Sequence, residues 1–407
     1  MELNPYWNQH ALKDELAKIG LGDIVYEGWY PFGHGDAKLL SEPLLAKIAA
    51  AHGKTIAQVI LRWMLQEGVV TFPRWRGSTR FRRRPTTTCP RSLPLSCLRI
   101  TTTASRRNGD REEDEMEFKT LNNGVKMPML GYGVYQTPPE ETESCVSQAL
   151  EVGYRLIDTA QAYGNEEGVG AAVRKSDVPR EEVFITSKIW VSNMNYERAA
   201  ASINETLRKL GTNYVDLMLL HQMMGDYTGA YRAMEDACKA GKIRAIGVSN
   251  CYPERLLDLC MLAEIPPAVN QIETHPFLQE NVAHANMEEL GVVHEAWAPF
   301  AEGRNNLFAH PVLSEIGAKH GKTAGQVALR ALLQEGIVVI PKTVHRVHME
   351  ENFAVFNFAL DADDMAAFRA LDDLSFKRIF DHHDLPTIKW MLGDLVKKQQ
   401  LGGAALY

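Results

Sequence analysis

From Met116 onward the chain alternates between two hydrophobic rhythms. Short apolar runs of strand length are separated by longer stretches whose apolar residues recur at helical spacing. The runs are GYGVY (131–135), RLIDTA (155–160), VFITSKIW (183–190), VDLMLLH (215–221), IRAIGVSN (243–250), PAVNQIE (267–273), VVHEAW (292–297) and IVVIP (337–341). Between them, segments such as AAASINETLRKLG (199–211) and YRAMEDACKAGK (231–242) gather apolar residues on one helical face. Several of these segments end in glycine, which suits a helix C-terminus. Ahead of the series, MEFKTLNNGVKMP (116–128) reads as a β-hairpin, two short strands around an NNG turn. Eight strand–helix units over about 250 residues predict an α/β fold, a closed parallel (β/α)8 TIM barrel. An open doubly wound sheet is the alternative, but no G-x-G-x-x-G follows an early strand.

The first 74 residues repeat part of this pattern. HGKTIAQVILRWMLQEGVVTFPR (52–74) matches HGKTAGQVALRALLQEGIVVIPK (320–342), and VYEGWYPF (25–32) matches VHEAWAPF (293–300). Residues 1–74 therefore read as a second copy of 273–342, a truncated partial-barrel fragment. Two strands cannot close a barrel, and their edges stay unpaired. The fragment is expected to be poorly ordered or loosely packed, and catalytically silent. Between the copies, 75–115 shows no periodicity, and residues 76–111 hold ten arginines, no lysine and one aspartate. The expected organisation is thus 1–74, an arginine-rich disordered junction at 75–115, and a barrel at 116–407.

Charge and composition narrow the partners. The chain is 45% hydrophobic and 23% charged with net charge −7, an ordinary globular balance that does not favour a polyanion partner. No nucleic-acid partner is expected. No run of 18 apolar residues occurs and no signal-type leader opens the chain, so no membrane segment is expected and the location reads as cytoplasmic. The six cysteines form no C-x-x-C pair, so neither a metal site nor a disulfide framework is expected.

Barrels carry their chemistry at the C-terminal ends of the strands. There, strand two ends in Asp158 with Tyr163 in the following loop, strand three in Lys188 and strand four in His221. Strand five ends in Ser249 and Asn250, strand six runs into Gln271, strand seven ends in Trp297, and Lys342 follows strand eight. Singly, each has an ordinary explanation: a helix cap, a rim charge, a core histidine, a tryptophan plug. Together they suit proton delivery. A phenol is a weak acid at neutral pH, and a nearby ammonium lowers its pKa. Asp158 supplies the counter-charge that keeps Lys188 protonated in a partly buried site. A histidine in reach polarises a carbonyl oxygen. None of these groups supplies a hydride, so a cofactor is required.

At this point DTAQAYGNE (158–166), ITSKIW (185–190), LLHQ (219–222), IGVSN (246–250) and VIPKT…EEN (339–343, 350–352) resemble the aldo-keto reductases. The likeness runs from Met116 to about Asp373, and the HQ and FAEG (300–303) variants are similar to a bacterial branch near the 2,5-diketo-gluconate reductases. The resemblance implies an NADPH-dependent reductase of small-molecule aldehydes or ketones, acting as a monomer, with hydride from the nicotinamide and proton from Tyr163. It implies that Asp158, Tyr163, Lys188 and His221 form the catalytic tetrad. Ser249, Asn250 and Gln271 would hold the nicotinamide carboxamide, and Trp297 would stack on the ring. Lys342, Thr343, His348 and Asn352 would meet the adenosine-phosphate end, and Tyr135 and Trp190 the substrate. His348 stands where the family usually has an arginine for the 2′-phosphate, which blunts the preference for NADPH and admits NADH. Arg346 is placed to compensate. A cofactor-binding sensor on the same barrel is the alternative class.

The resemblance also bears on the junction. Residues 1–74 then resemble the C-terminal part of a second family member. The arginine-rich stretch reads either as a nucleic-acid arm or as a seam read out of frame between two neighbouring reductase genes. The absence of lysine and of aromatic interleaving weighs against the arm.

Overall fold

The computed structural model describes residues 3–6, 8–18, 24–28, 31–32, 37–71, 116–373 and 375–400. The chain divides into two compact units, Met1–Arg106 and Arg107–Tyr407. The junction at 75–115 lies outside the described residues, as do Trp29 and Arg74 of the repeat.

The first unit contains α1 (His10–Lys18), β1 (Tyr26–Gly28), α2 (Pro43–Ala51), α3 (Ile56–Gln66) and β2 (Val69–Thr71). The two strands pair in parallel, with Glu27 opposite Val70. Proline opens α2, and Thr55 with Gln58 forms a capping box at the start of α3. Leu3, Leu39, Ile60, Met64 and Val69 form the buried cluster.

The second unit opens with the antiparallel hairpin of β3 (Phe118–Thr120) and β4 (Lys126–Pro128). Eight parallel strands follow: β5 (Gly131–Gly133), β6 (Leu156–Asp158), β7 (Phe184–Ile189), β8 (Val215–Leu220), β9 (Ile243–Ser249), β10 (Val269–Glu273), β11 (Val293–Trp297) and β12 (Val338–Val339). Each strand pairs with the next in sequence order. The ring closes where Leu130 bridges Val339 and Val339 N donates to Met129 O at 2.9 Å. The expected (β/α)8 barrel with its N-terminal hairpin is the observed fold.

Helices α4 (Pro139–Val152), α5 (Glu166–Lys175), α6 (Tyr196–Leu210), α7 (Tyr227–Lys239), α8 (Pro253–Leu262), α9 (Asn281–Glu289), α10 (Pro311–His320) and α11 (Ala324–Gln334) fill the crossovers. After β12 come α12 (Arg346–Phe353), α13 (Ala362–Arg369) and α14 (Leu385–Gln400). All residues of β7 and β8 are buried, which is why they read as continuous apolar runs rather than alternating ones. Helix α6 starts three residues before the apolar periodicity does. Asn195 caps it by accepting from Arg198 N at 2.8 Å, and Gly211 closes it in the left-handed conformation with φ 63. Strand β5 stops short of the GYGVY run because Gln136, at φ 58, turns the chain away.

The segment between α13 and α14 is fastened at the C-terminal end of the barrel. Glu273, at the end of β10, accepts from Ile379 N at 2.9 Å and Phe380 N at 3.4 Å. His382 Nε2 lies 2.6 Å from Gln222 Oε1, one residue beyond His221. Among the described residues no single helix is long and apolar enough to cross a membrane. Cys145, Cys238, Cys251 and Cys260 form no disulfide, and Cys89 and Cys97 lie outside the described residues.

Candidate active site

The barrel brings Asp158, Tyr163, Lys188 and His221 together. Lys188 Nζ, fully buried, lies 2.5 Å from Asp158 Oδ1, 3.0 Å from the Thr159 carbonyl and 3.4 Å from the Tyr163 hydroxyl. Three acceptors around one ammonium satisfy its three donors. The Tyr163 ring lies edge-on to His221 with centroids 5.7 Å apart, and Trp190 packs edge-on against the same imidazole at 5.0 Å. Tyr135, half exposed, lies 5.0 Å from Tyr163. Tyr135 and Trp190 thus flank the tetrad.

Burial governs the protonation states. It pushes the Tyr163 phenol up to about 12, although the Lys188 charge pulls the other way. The expected lowering by the ammonium is therefore present but outweighed by burial. Burial alone would strip the Lys188 proton, but the charge and hydrogen bond of Asp158, with Tyr163 and Glu295 nearby, together outweigh it and hold the ammonium above its ordinary range. Burial, helped by Lys188, keeps His221 well below the usual histidine range, so the imidazole is neutral. Its Nδ1 has no partner among the described residues.

A second cluster adjoins the first. Gln271 Nε2 lies 2.9 Å from Asp158 Oδ2 and 2.9 Å from Glu295 Oε2. Ser249 Oγ donates to the Gln271 carbonyl at 2.8 Å, and Trp297 Nε1 donates to Asn250 Oδ1 at 2.9 Å. Asn250 holds φ 54, a left-handed conformation that asparagine tolerates and that often marks a functional loop. Ser249, Asn250, Gln271 and Trp297 are therefore one hydrogen-bonded patch joined to the tetrad through Asp158.

Residues 127–373 match the Aldo/keto reductase family model. The chain belongs to the aldo/keto reductase family. It is 44% identical over 255 residues to glyoxal reductase of Bacillus subtilis, covering 62% of this chain and 91% of that protein. Among solved structures it is similar to a putative 2,5-diketo-D-gluconic acid reductase B, with 39% identity, TM-score 0.64 and coverage of 66% of this chain and 96% of the other. An aldo-keto reductase solved with NADPH aligns at 33% identity and TM-score 0.61, covering 65% of this chain and 89% of the other. This aldo-keto reductase is accordingly a nicotinamide-dependent oxidoreductase of the carbonyl-reducing class.

The patch beside the tetrad fits a nicotinamide. Two buried groups offer unused polar atoms, His221 Nδ1 and the Gln271 oxygen, to which nothing donates among the described residues. Lys342, Thr343, His348 and Asn352 follow β12. Thr343 Oγ1 accepts from His345 N at 3.1 Å, and its carbonyl accepts from the Tyr132 hydroxyl at 2.5 Å. His348 Nδ1 lies 3.0 Å from Glu351, and Asn352 is buried on α12. Arg346 pairs with Glu151 at 2.6 Å and Glu350 at 2.9 Å.

Sequence reasoning missed Glu295. It lies fully buried in β11, opposite Gln271 in β10. Burial and the neighbouring Asp158 charge push its carboxyl up to about 8. The available signal was strand parity: Glu295 lies two residues before Trp297 and so shares its face.

Proposed function

We propose that this aldo-keto reductase reduces aldehydes or ketones to alcohols with NADPH, Tyr163 giving the proton. The observation that carries the reading is the 3.4 Å contact between Lys188 Nζ and the Tyr163 hydroxyl, backed by the 2.5 Å pair with Asp158. The reduced nicotinamide, when bound, supplies the hydride. Tyr163, raised by burial, keeps its proton at neutral pH and is in the donor form. The phenolate left after donation faces the Lys188 ammonium, which stabilises it. Neutral His221 has one N–H to offer and orients the carbonyl oxygen toward Tyr163. Ser249, Asn250 and Gln271 hold the carboxamide, and Trp297 packs against the ring. Tyr135 and Trp190 line an apolar pocket suited to a small carbonyl compound.

At the far end, Lys342, Thr343, His348 and Asn352 meet the adenosine phosphate. Glu151, Glu350 and Glu351 partner Arg346 and His348, so little net positive charge faces a 2′-phosphate there. NADH is therefore accepted alongside NADPH. His348→Arg is expected to raise the preference for NADPH about tenfold, the value of one charge-assisted contact; an unchanged KM ratio counts against this placement. For the chemistry, Tyr163→Phe is expected to lower kcat about 10²- to 10⁴-fold with NADPH and a simple aldehyde, while NADPH still quenches tryptophan fluorescence. Undiminished turnover would sink the proton-donor role.

A further inference from the structure

Gln271 has one acceptor oxygen and one nitrogen carrying two protons. That nitrogen sits 2.9 Å from a carboxylate oxygen of Asp158 and 2.9 Å from one of Glu295. Both N–H groups are therefore spent inside the protein. Turning the amide over would set its oxygen against the Asp158 carboxylate, so Asp158 fixes the orientation. Asp158 alone uses one proton and leaves the other able to donate toward a ligand. Glu295 removes that freedom. What remains is an acceptor, Oε1, to which nothing donates among the described residues.

Glu295 is otherwise an expensive residue in this place. It is fully buried, its Oε1 has no partner among the described residues, and it shares the interior with Asp158. A lone buried carboxyl of this kind disfavours folding. Gln271 Nε2 is its hydrogen-bonded contact, while Asp158 and Lys188 feel it only through charge.

We infer that Glu295 is a positioning residue that locks the Gln271 amide so that Gln271 accepts a hydrogen bond from the NH2 of the nicotinamide carboxamide and does not itself donate to the carboxamide carbonyl. The inference rests on the reading above that Gln271 meets the carboxamide. It predicts discrimination between cofactors that differ only in that group. NADPH carries the NH2; its reduced 3-acetylpyridine analogue carries a methyl in its place.

Affinities of both compounds, read from tryptophan fluorescence quenching, test the inference. For the unaltered protein NADPH binds more tightly than the analogue. In Glu295→Leu the second Gln271 proton is released, and the ratio of the two affinities is expected to fall about 3- to 10-fold, the scale of one hydrogen bond. Glu295→Gln keeps an acceptor at the same reach and is expected to restore the ratio. Gln271→Leu is the control and collapses the ratio on its own. If Gln271→Leu collapses the ratio and Glu295→Leu leaves it unchanged, the positioning role is wrong and the Gln271 contact stands. If Gln271→Leu leaves the ratio unchanged, both fall. If Glu295→Leu weakens both compounds equally, Glu295 is structural only, and the inference is overturned. Should Glu295→Leu fail to fold, Glu295→Ala carries the same comparison.

Discussion

The two copies of the repeat fold alike and bury differently. In the first unit Glu27 faces Val70 across a parallel pair; in the second Glu295 faces Val338 in the matching register. Both copies start one helix on proline and the next on a threonine–glutamine capping box. Yet Val25 is 73% exposed where Val293 is 7%, Leu65 is 59% where Leu333 is 3%, and Val70 is 41% where Val338 is fully buried. Local sequence dictates the helix, its cap and the strand pairing in each copy. Burial of those side chains comes only with the other strands of the barrel. The same contrast reaches the chemistry: Glu27 is exposed, whereas Glu295, two residues before Trp297, lies beside Gln271.

The sharpest way to break the comparison is to remove matched side chains. Leu333→Ala opens a cavity in the barrel wall and is expected to cost about 2–5 kcal/mol. Leu65→Ala removes an exposed side chain and is expected to change stability by under about 0.5 kcal/mol. Hydrogen exchange, followed separately for each unit during urea unfolding, reads both. Equal losses would mean that Leu65 is covered in solution.

Much of this contrast was legible in the chain, and the part that was not has a physical reason. Each tetrad member ends a strand or follows one, so the barrel pattern alone placed Asp158, Tyr163, Lys188 and His221 on one rim. The link between Gln271 and Asp158 spans 113 residues, and the one between His382 and Gln222 spans 160. No local periodicity encodes such pairs. Glu295 hid inside an apolar strand because charge was sought at strand ends. The Tyr163 phenol went the opposite way from expectation because the sequence shows neighbouring charges but not enclosure. Helix α6 began early because its signal was one asparagine cap rather than a run of apolar residues.

A smaller effect separates the two glutamates by pH. Burial and then Asp158 raise the Glu295 carboxyl to about 8, so the unfolded chain loses this proton first as pH rises. Stability is fully present below the ordinary glutamate range and is lost as pH climbs toward 8. Glu295→Gln removes the titration. The variant should therefore gain on the parent by up to about 1.4 kcal/mol per pH unit between pH 5 and 8. Glu27→Gln, on an exposed side chain, is expected to change stability by under about 0.5 kcal/mol at either pH. Urea midpoints at pH 5, 6.5 and 8 decide it. A pH-independent gap between Glu295→Gln and the parent would show that Glu295 is already ionised at pH 5.

The smallest expected effect is where the copies should agree. Gln58 N donates to Thr55 Oγ1 at 3.2 Å and Thr55 N to Gln58 Oε1 at 2.9 Å; the equivalent distances at Thr323 and Gln326 are 3.3 and 3.0 Å. These are the same four-residue device, and each satisfies donors its helix leaves open. Thr55→Ala and Thr323→Ala are each expected to cost about 1 kcal/mol in their own unit. The glutamines should diverge. Gln326 Nε2 also donates to the Glu351 carbonyl at 2.9 Å, tying α11 to α12. Gln326→Ala therefore breaks a cap and a long-range bond, and is expected to exceed Gln58→Ala by about 1 kcal/mol. If the threonine pair already differs by that much, the cap is not a purely local device, and the division between local sequence and barrel closure must be redrawn at these helices.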